Sequence, residues 1–159
     1  MQFKTFIELA CSLCGKSTVA VSRTPRANLI KDQAAMNSWV LIVDDEENLL
    51  VLLERVFQKN GFQVKAATNG YQALRLIGQH VFDLAVLDVQ MFPVDGIMLL
   101  REVRKRSPST SVIMIAAYPT SDARTECMKI GAAAFLAKPL DLNYLKDVAQ
   151  RLAHPDQQQ

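Results

Sequence analysis

The chain has 159 residues, of which 50% are hydrophobic and 21% charged, with only 6 Gly and 6 Pro. That length suits one domain with a core of its own, and that composition excludes a disordered or fibrous chain. Charges interrupt every apolar stretch well before the roughly 18 residues of a membrane span, and a net charge of +2 calls for neither a nucleic-acid nor a membrane partner.

The charge is unevenly spread. Residues 1–38 hold five basic residues against two acidic ones, and the rest of the chain nets −1. This divides the chain into a basic leader, expected to be disordered, and a near-neutral body. Within the leader, Ala10-Cys-Ser-Leu-Cys-Gly15-Lys16-Ser17 fits a relaxed phosphate-loop pattern. Such a loop needs a strand before it, a helix after it and a nucleotide-binding domain around it, and only residues 18–38 separate it from the body. Cys11 and Cys14 supply half of the four ligands that zinc needs, with no second pair nearby. Three cysteines, with Cys127 on an apolar helical face, make no disulfide framework and point to an intracellular, cytoplasmic chain. Glu8 interrupts the only stretch that could serve as a signal peptide. Met36, just before the body, is an alternative start of translation.

From residue 39 to 152 one theme repeats five times: a short apolar run, then an amphipathic stretch. The runs are WVLIV (39–43), FQVKAA (62–67), FDLAVL (82–87), SVIMIAA (111–117) and AAFLA (133–137). Three are apolar on both faces, as strands between two helical layers must be. The first stretch places Leu49, Leu52, Leu53 and Val56 at helical spacing, and the last does the same with Leu142, Leu145, Val148, Ala149 and Leu152. Between them lie Ala73–Leu74–Ile77, Ile97–Leu100–Val103 and Ala123–Cys127–Ile130. Gly61 and Gly131 sit where left-handed helix caps belong, and Asp141 is placed to cap the fifth helix. Five alternating strands and helices predict an α/β fold with a parallel sheet. A tail, residues 153–159, follows.

In such sheets the chemistry gathers beyond the carboxyl ends of the strands. The first run ends in Asp44-Asp45-Glu46, the third in Asp88, the fourth in Ala116-Ala117 and the fifth in Lys138-Pro139. Three converging carboxylates repel one another. A bound Mg²⁺ relieves that repulsion, since it takes hard oxygen ligands and keeps room for water and a phosphate oxygen. A carboxylate beside such an ion and a lysine can attack phosphorus and form an aspartyl-phosphate. The alternative is a solvated acidic rim, which three acids and a lysine gathered from the ends of three strands disfavour.

Val43-Asp44-Asp45-Glu46, Leu87-Asp88-Val89-Gln90-Met91 with Asp95-Gly96, and Ala137-Lys138-Pro139 resemble, in order and spacing, the receiver domain of two-component response regulators. The resemblance covers residues 39–152. It implies a flavodoxin-like, doubly wound sheet of five parallel strands in the order 2-1-3-4-5, with five helices. It implies Asp88 as phosphoacceptor. Asp45, Asp88 and the main-chain carbonyl of Gln90 would hold Mg²⁺, with Asp44 supporting it through water. Lys138 would pair with the phosphoryl oxygens, and the Lys138–Pro139 bond would be cis. Gln90 and Tyr118 fall where the family tunes loss of the phosphoryl group.

Three positions depart from the family. The switch hydroxyl at the end of the fourth strand is replaced by Ala116, which has no donor. A hydrogen bond to a charged group is worth about 1.5–3 kcal/mol, enough to blunt a switch biased by a few kcal/mol. Phe135 takes the place of the switching aromatic of the fifth strand and lacks a hydroxyl, which favours a buried ring. Met91-Phe92-Pro93 replaces the usual Met-Pro, with the spacing from Asp88 to Gly96 kept, and places Phe92 in an exposed loop.

The resemblance therefore implies a stand-alone receiver in a phosphorelay. It would be phosphorylated by a sensor histidine kinase or a phosphotransfer protein, and would signal by docking through its fourth helix, fifth strand and fifth helix. A receiver-fold binding module with weak switching is the alternative that Ala116 favours. A hydrolase would need a second acid or base near Asp88, so no enzyme is expected.

Overall fold

The computed structural model describes residues 38–154. The leader to residue 37, with Cys11, Cys14, the phosphate-loop pattern and Met36, lies outside the described residues, as does the tail from residue 155. The elements follow the alternation read from the sequence: β1 (Trp39–Val43), α1 (Glu47–Lys59), β2 (Gln63–Ala67), α2 (Gly70–Gln79), β3 (Leu84–Asp88), α3 (Gly96–Arg106), β4 (Ser111–Ala116), α4 (Ser121–Ile130), β5 (Ala134–Ala137) and α5 (Leu142–Ala153). The sheet is parallel throughout, in the order β2-β1-β3-β4-β5. This is the doubly wound α/β fold that the sequence resemblance implied.

Alternation along the three central strands feeds two cores. Leu41 and Val43, Ala85 and Leu87, and Val112 and Met114 meet Ala73 and Ile77 of α2, Leu99, Leu100 and Val103 of α3, and Cys127 of α4. The intervening Val40 and Ile42, Leu84 and Val86, and Ile113 and Ile115 meet α1 and α5 on the other face. Burial on both faces explains why these three runs lack polar alternation. The edge strand β2 instead carries Gln63 and Lys65.

Local signals end the helices as expected. Asp141 accepts from the N–H groups of Asn143 and Tyr144 at 2.9 and 3.1 Å. Gly61 and Gly131 have φ of 87° and 116°, left-handed values that a side chain would resist.

The α1 face differs from the sequence expectation. Its buried line is Leu50, Leu53 and Phe57, whereas Leu52 is 44% exposed. Both patterns have helical spacing. The one that wins brings the large Phe57 ring edge-on against Phe62 at 5.5 Å, which closes the end of this core.

Register sets the functional edge. Val43 pairs with Leu87, Asp88 with Ile115 and Ala116 with Ala137. The residues leaving β1, β3 and β5 therefore emerge at the same edge of the sheet, with the end of β4 between the last two.

The rotated α1 face gives a test. Leu50→Ala is expected to cost about 2–5 kcal/mol of unfolding free energy, as a buried large-to-small change does. Leu52→Ala should cost about 0.5 kcal/mol or less, as a surface change does. Urea unfolding curves showing equal losses would contradict the assignment.

Candidate functional site at the strand ends

Asp44 follows β1 directly and Asp88 ends β3, and both are buried, at 1% and 3% exposure. Asp45 is exposed. One carboxylate oxygen from each of the three lies within 4.8 Å of the others. Lys138, the residue after β5, places its Nζ 2.8 Å from Oδ2 of Asp44 and 2.7 Å from Oδ2 of Asp88. The four charged residues that the sequence placed at the ends of three strands thus share one pocket.

The backbone orients each buried carboxylate in the same way. The Glu46 N–H donates to Oδ1 of Asp44 at 2.9 Å, and the Gln90 N–H donates to Oδ1 of Asp88 at 3.0 Å. Both are turns in which an aspartate binds the N–H two residues on. The sequence reading missed this pairing, although an Asp at a strand end is its ordinary signal. Lys138 is held likewise, its N–H donating to the Ala116 carbonyl at 2.9 Å.

Charge in the pocket is only partly balanced. Burial pushes the Asp44 carboxyl above its ordinary range, and the contact with Lys138 and the Glu46 N–H offset only part of this. Burial alone would lower the Lys138 ammonium, but its contacts with Asp44 and Asp88 more than reverse that and hold it above its usual value. One ammonium serves two buried carboxylates, with Asp45 beside them. Its contact with Asp44 is a close ion pair without hydrogen-bond alignment, so the buried Oδ2 of Asp44 has no aligned donor. Hard, clustered oxygen donors carrying more negative charge than one ammonium offsets fit a divalent cation of the oxygen-seeking kind.

The remaining candidates line the rim. Ala116 is buried and ends β4. Phe135 is buried, with the Arg124 guanidinium 5.9 Å from its ring centre. Tyr118 is 76% and Phe92 89% exposed, while Met91 beside Phe92 is buried in the core and the Gln90 side chain is exposed. Cys127 is a free, buried thiol in the core, as its helical face suggested. The Lys138–Pro139 bond is cis, as the resemblance implied. So is Phe92–Pro93, which the sequence reading did not foresee.

The unbalanced charge yields a prediction. The folded chain holds the Asp44 carboxyl above its ordinary value of 3.8, so ionised Asp44 works against folding at neutral pH. That cost fades as pH falls through the raised value. Asp44→Asn keeps an acceptor for the Glu46 N–H and removes the charge. Without divalent cations its urea midpoint should exceed that of the wild type at neutral pH, and the gap should close toward the ordinary carboxylate range. A lower midpoint at neutral pH would show that pairing with Lys138 outweighs burial.

Residues 40–150 match the family model described as the response regulator receiver domain. Transcriptional regulatory protein ZraR of Klebsiella oxytoca is 37% identical over 116 residues, 72% of this chain and 26% of that protein. The chain therefore spans only a minor part of that relative. Sporulation initiation phosphotransferase F of Bacillus subtilis is 35% identical over 116 residues, 73% of this chain and 94% of that protein. A response regulator protein from Burkholderia pseudomallei, solved with a phosphorylated aspartic acid, calcium ion and citrate, superposes with a TM-score of 0.68 at 25% identity, over 76% of this chain and 71% of that one. Among the described residues no helix is long and apolar enough to cross a membrane. Receivers of this kind are signalling domains that pair with histidine kinases and phosphotransfer proteins. With its sheet order, its acidic cluster at the strand ends and a family match spanning nearly the whole described body, the chain belongs to the response regulator receiver domain family.

Proposed function

We propose that Asp88 accepts a phosphoryl group from a phosphohistidine on a sensor kinase or phosphotransfer protein. The observation that carries this is the setting of its carboxylate. One oxygen is fixed by the Gln90 N–H and the other by Lys138, beside Asp44 and Asp45. A carboxylate oxygen of Asp88 forms the new O–P bond as the N–P bond to the donor imidazole breaks. The electron pair of that bond stays on the ring nitrogen, which takes a proton from solvent. Lys138, now paired with Asp88, is the donor placed to pair with the phosphoryl oxygens.

The metal reading is Mg²⁺, held by Asp45, Asp88 and the main-chain carbonyl of Gln90, with Asp44 acting through water. When bound, the cation would offset negative charge on the transferring group. The calcium ion and phosphorylated aspartate of the Burkholderia protein support this reading. We assign the receiver to residues 39–152, with the leader 1–38 and the tail 153–159 outside it. Because the donor is a kinase of the cell interior, the reading places the protein in the cytoplasm. The Bacillus relative consists almost wholly of the matched segment, which supports a receiver that works alone, through docking at α4, β5 and α5.

A second reading, a binding module with weak or phosphorylation-independent switching, is favoured by Ala116. Its buried methyl offers no donor to a phosphoryl group on Asp88.

Acetyl phosphate with magnesium tests both. The wild type should gain the mass of one phosphoryl group, and Asp88→Asn should gain none. An equal gain on Asp88→Asn would remove Asp88 from its role. Amide shifts read in the labelled wild type decide the second reading: small shifts across α4 support a muted switch, and large ones overturn it. Gln90 and Tyr118 are assigned to the lifetime of the label, which should shorten in Tyr118→Ala if its ring shields the site.

A further inference from the structure

The main chain just past Asp88 is held from two sides. The Val89 N–H donates to the Ile115 carbonyl of β4 at 2.8 Å, and the Val89 carbonyl accepts from the Gly96 N–H at 3.1 Å. Residues 90–95 loop out from β3 and return so that the first residue of α3 lies against the Asp88 peptide. A Cβ on Gly96 would stand 2.0 Å from the Asp88 carbonyl oxygen, 2.8 Å from its carbonyl carbon and 3.0 Å from the Val89 Cα. All three are backbone atoms, so no side chain can rotate away to make room. Gly96 is not among the glycines with positive φ, so what it supplies is space for close backbone approach.

We propose that Gly96 is a positioning residue of the phosphorylation site. By lacking a side chain it lets the first turn of α3 seat directly on the Asp88 carbonyl, and this seating fixes where the Asp88 carboxylate stands relative to Lys138 and Asp44. The inference rests on the reading of Asp88 as phosphoacceptor. The carbonyl and the carboxylate share the Asp88 Cα, so a substituent that pushes one moves the other. To reach ordinary contact distance an alanine must displace the Asp88 carbonyl or the helix start by roughly an ångström, and a misplacement of that size can cost about 10²-fold in rate.

Gly131 provides the control. Its φ of 116° is strained for any side chain, and a Cβ there would meet the Arg104 side chain at 3.2 Å. It precedes β5, at the end of the sheet opposite the Asp88 peptide.

The experiment compares rates of labelling by acetyl phosphate at saturating magnesium in the wild type, Gly96→Ala and Gly131→Ala, with urea curves to rank their stability. Gly96→Ala should label about 10–100-fold more slowly, while Gly131→Ala should lose stability but label close to the wild-type rate. A folded Gly96→Ala that labels at the wild-type rate would overturn the proposal, as would an equal slowing in Gly131→Ala. Should Gly96→Ala not fold, Asp95→Ala takes its place. It removes the carboxylate that caps α3 through the Met98 N–H at 2.8 Å and so loosens the same first turn. It should label more slowly than the wild type, and an unchanged rate would overturn the proposal. A wild type that takes no label would overturn the reading of Asp88 itself, and this inference with it.

Discussion

One ammonium shared by two buried carboxylates is the constraint on which the pocket depends. Lys138 lies within 2.8 Å of both Asp44 and Asp88. Burial of Asp44 is costly, and the attraction of a single lysine offsets that cost only in part. Its Oδ2 meets that shared ammonium without hydrogen-bond alignment. On the proposed reading, a bound cation would relieve that imbalance beside the phosphoacceptor.

The rest of the fold serves to hold that arrangement. Parallel pairing makes the residues after β1, β3 and β5 exit at one edge, and the register of Val43 with Leu87 sets Asp44 beside Asp88. Backbone N–H groups of Glu46 and Gln90 then orient the two carboxylates. The Lys138 N–H on the Ala116 carbonyl fixes the base of the lysine. Apart from Asp44 and Asp88, the buried polar side chains among the described residues are the uncharged Ser38 and Thr110. The edge can thus concentrate charge because the layers below it hold none.

Much of this could be read from residues alone, for identifiable reasons. The three central strands were legible because burial on both faces leaves unbroken apolar runs. The pocket was legible because Asp44 and Asp88 stand at the ends of two such runs and Lys138 just past the shorter apolar run of β5. What escaped was geometry that spacing does not encode. Leu49, Leu52, Leu53 and Val56 formed a plausible helical stripe, yet the buried line is Leu50, Leu53 and Phe57, because helical periodicity alone cannot rank two overlapping faces. The spatial reason for Gly96 was equally hidden. Its neighbour is the Asp88 carbonyl, and only the packing of α3 onto β3 reveals the approach.

The proposed chemistry at Asp88 depends most on the acidic cluster holding a hard divalent cation. Titration of the wild type with magnesium, followed through backbone amide resonances, tests this directly. Saturable shifts confined to Asp45, Asp88, Gln90 and their neighbours are expected, with their loss in Asp45→Asn. Shifts that fail to saturate, or that spread equally over exposed acids away from the pocket such as Asp122 and Asp147, would contradict it.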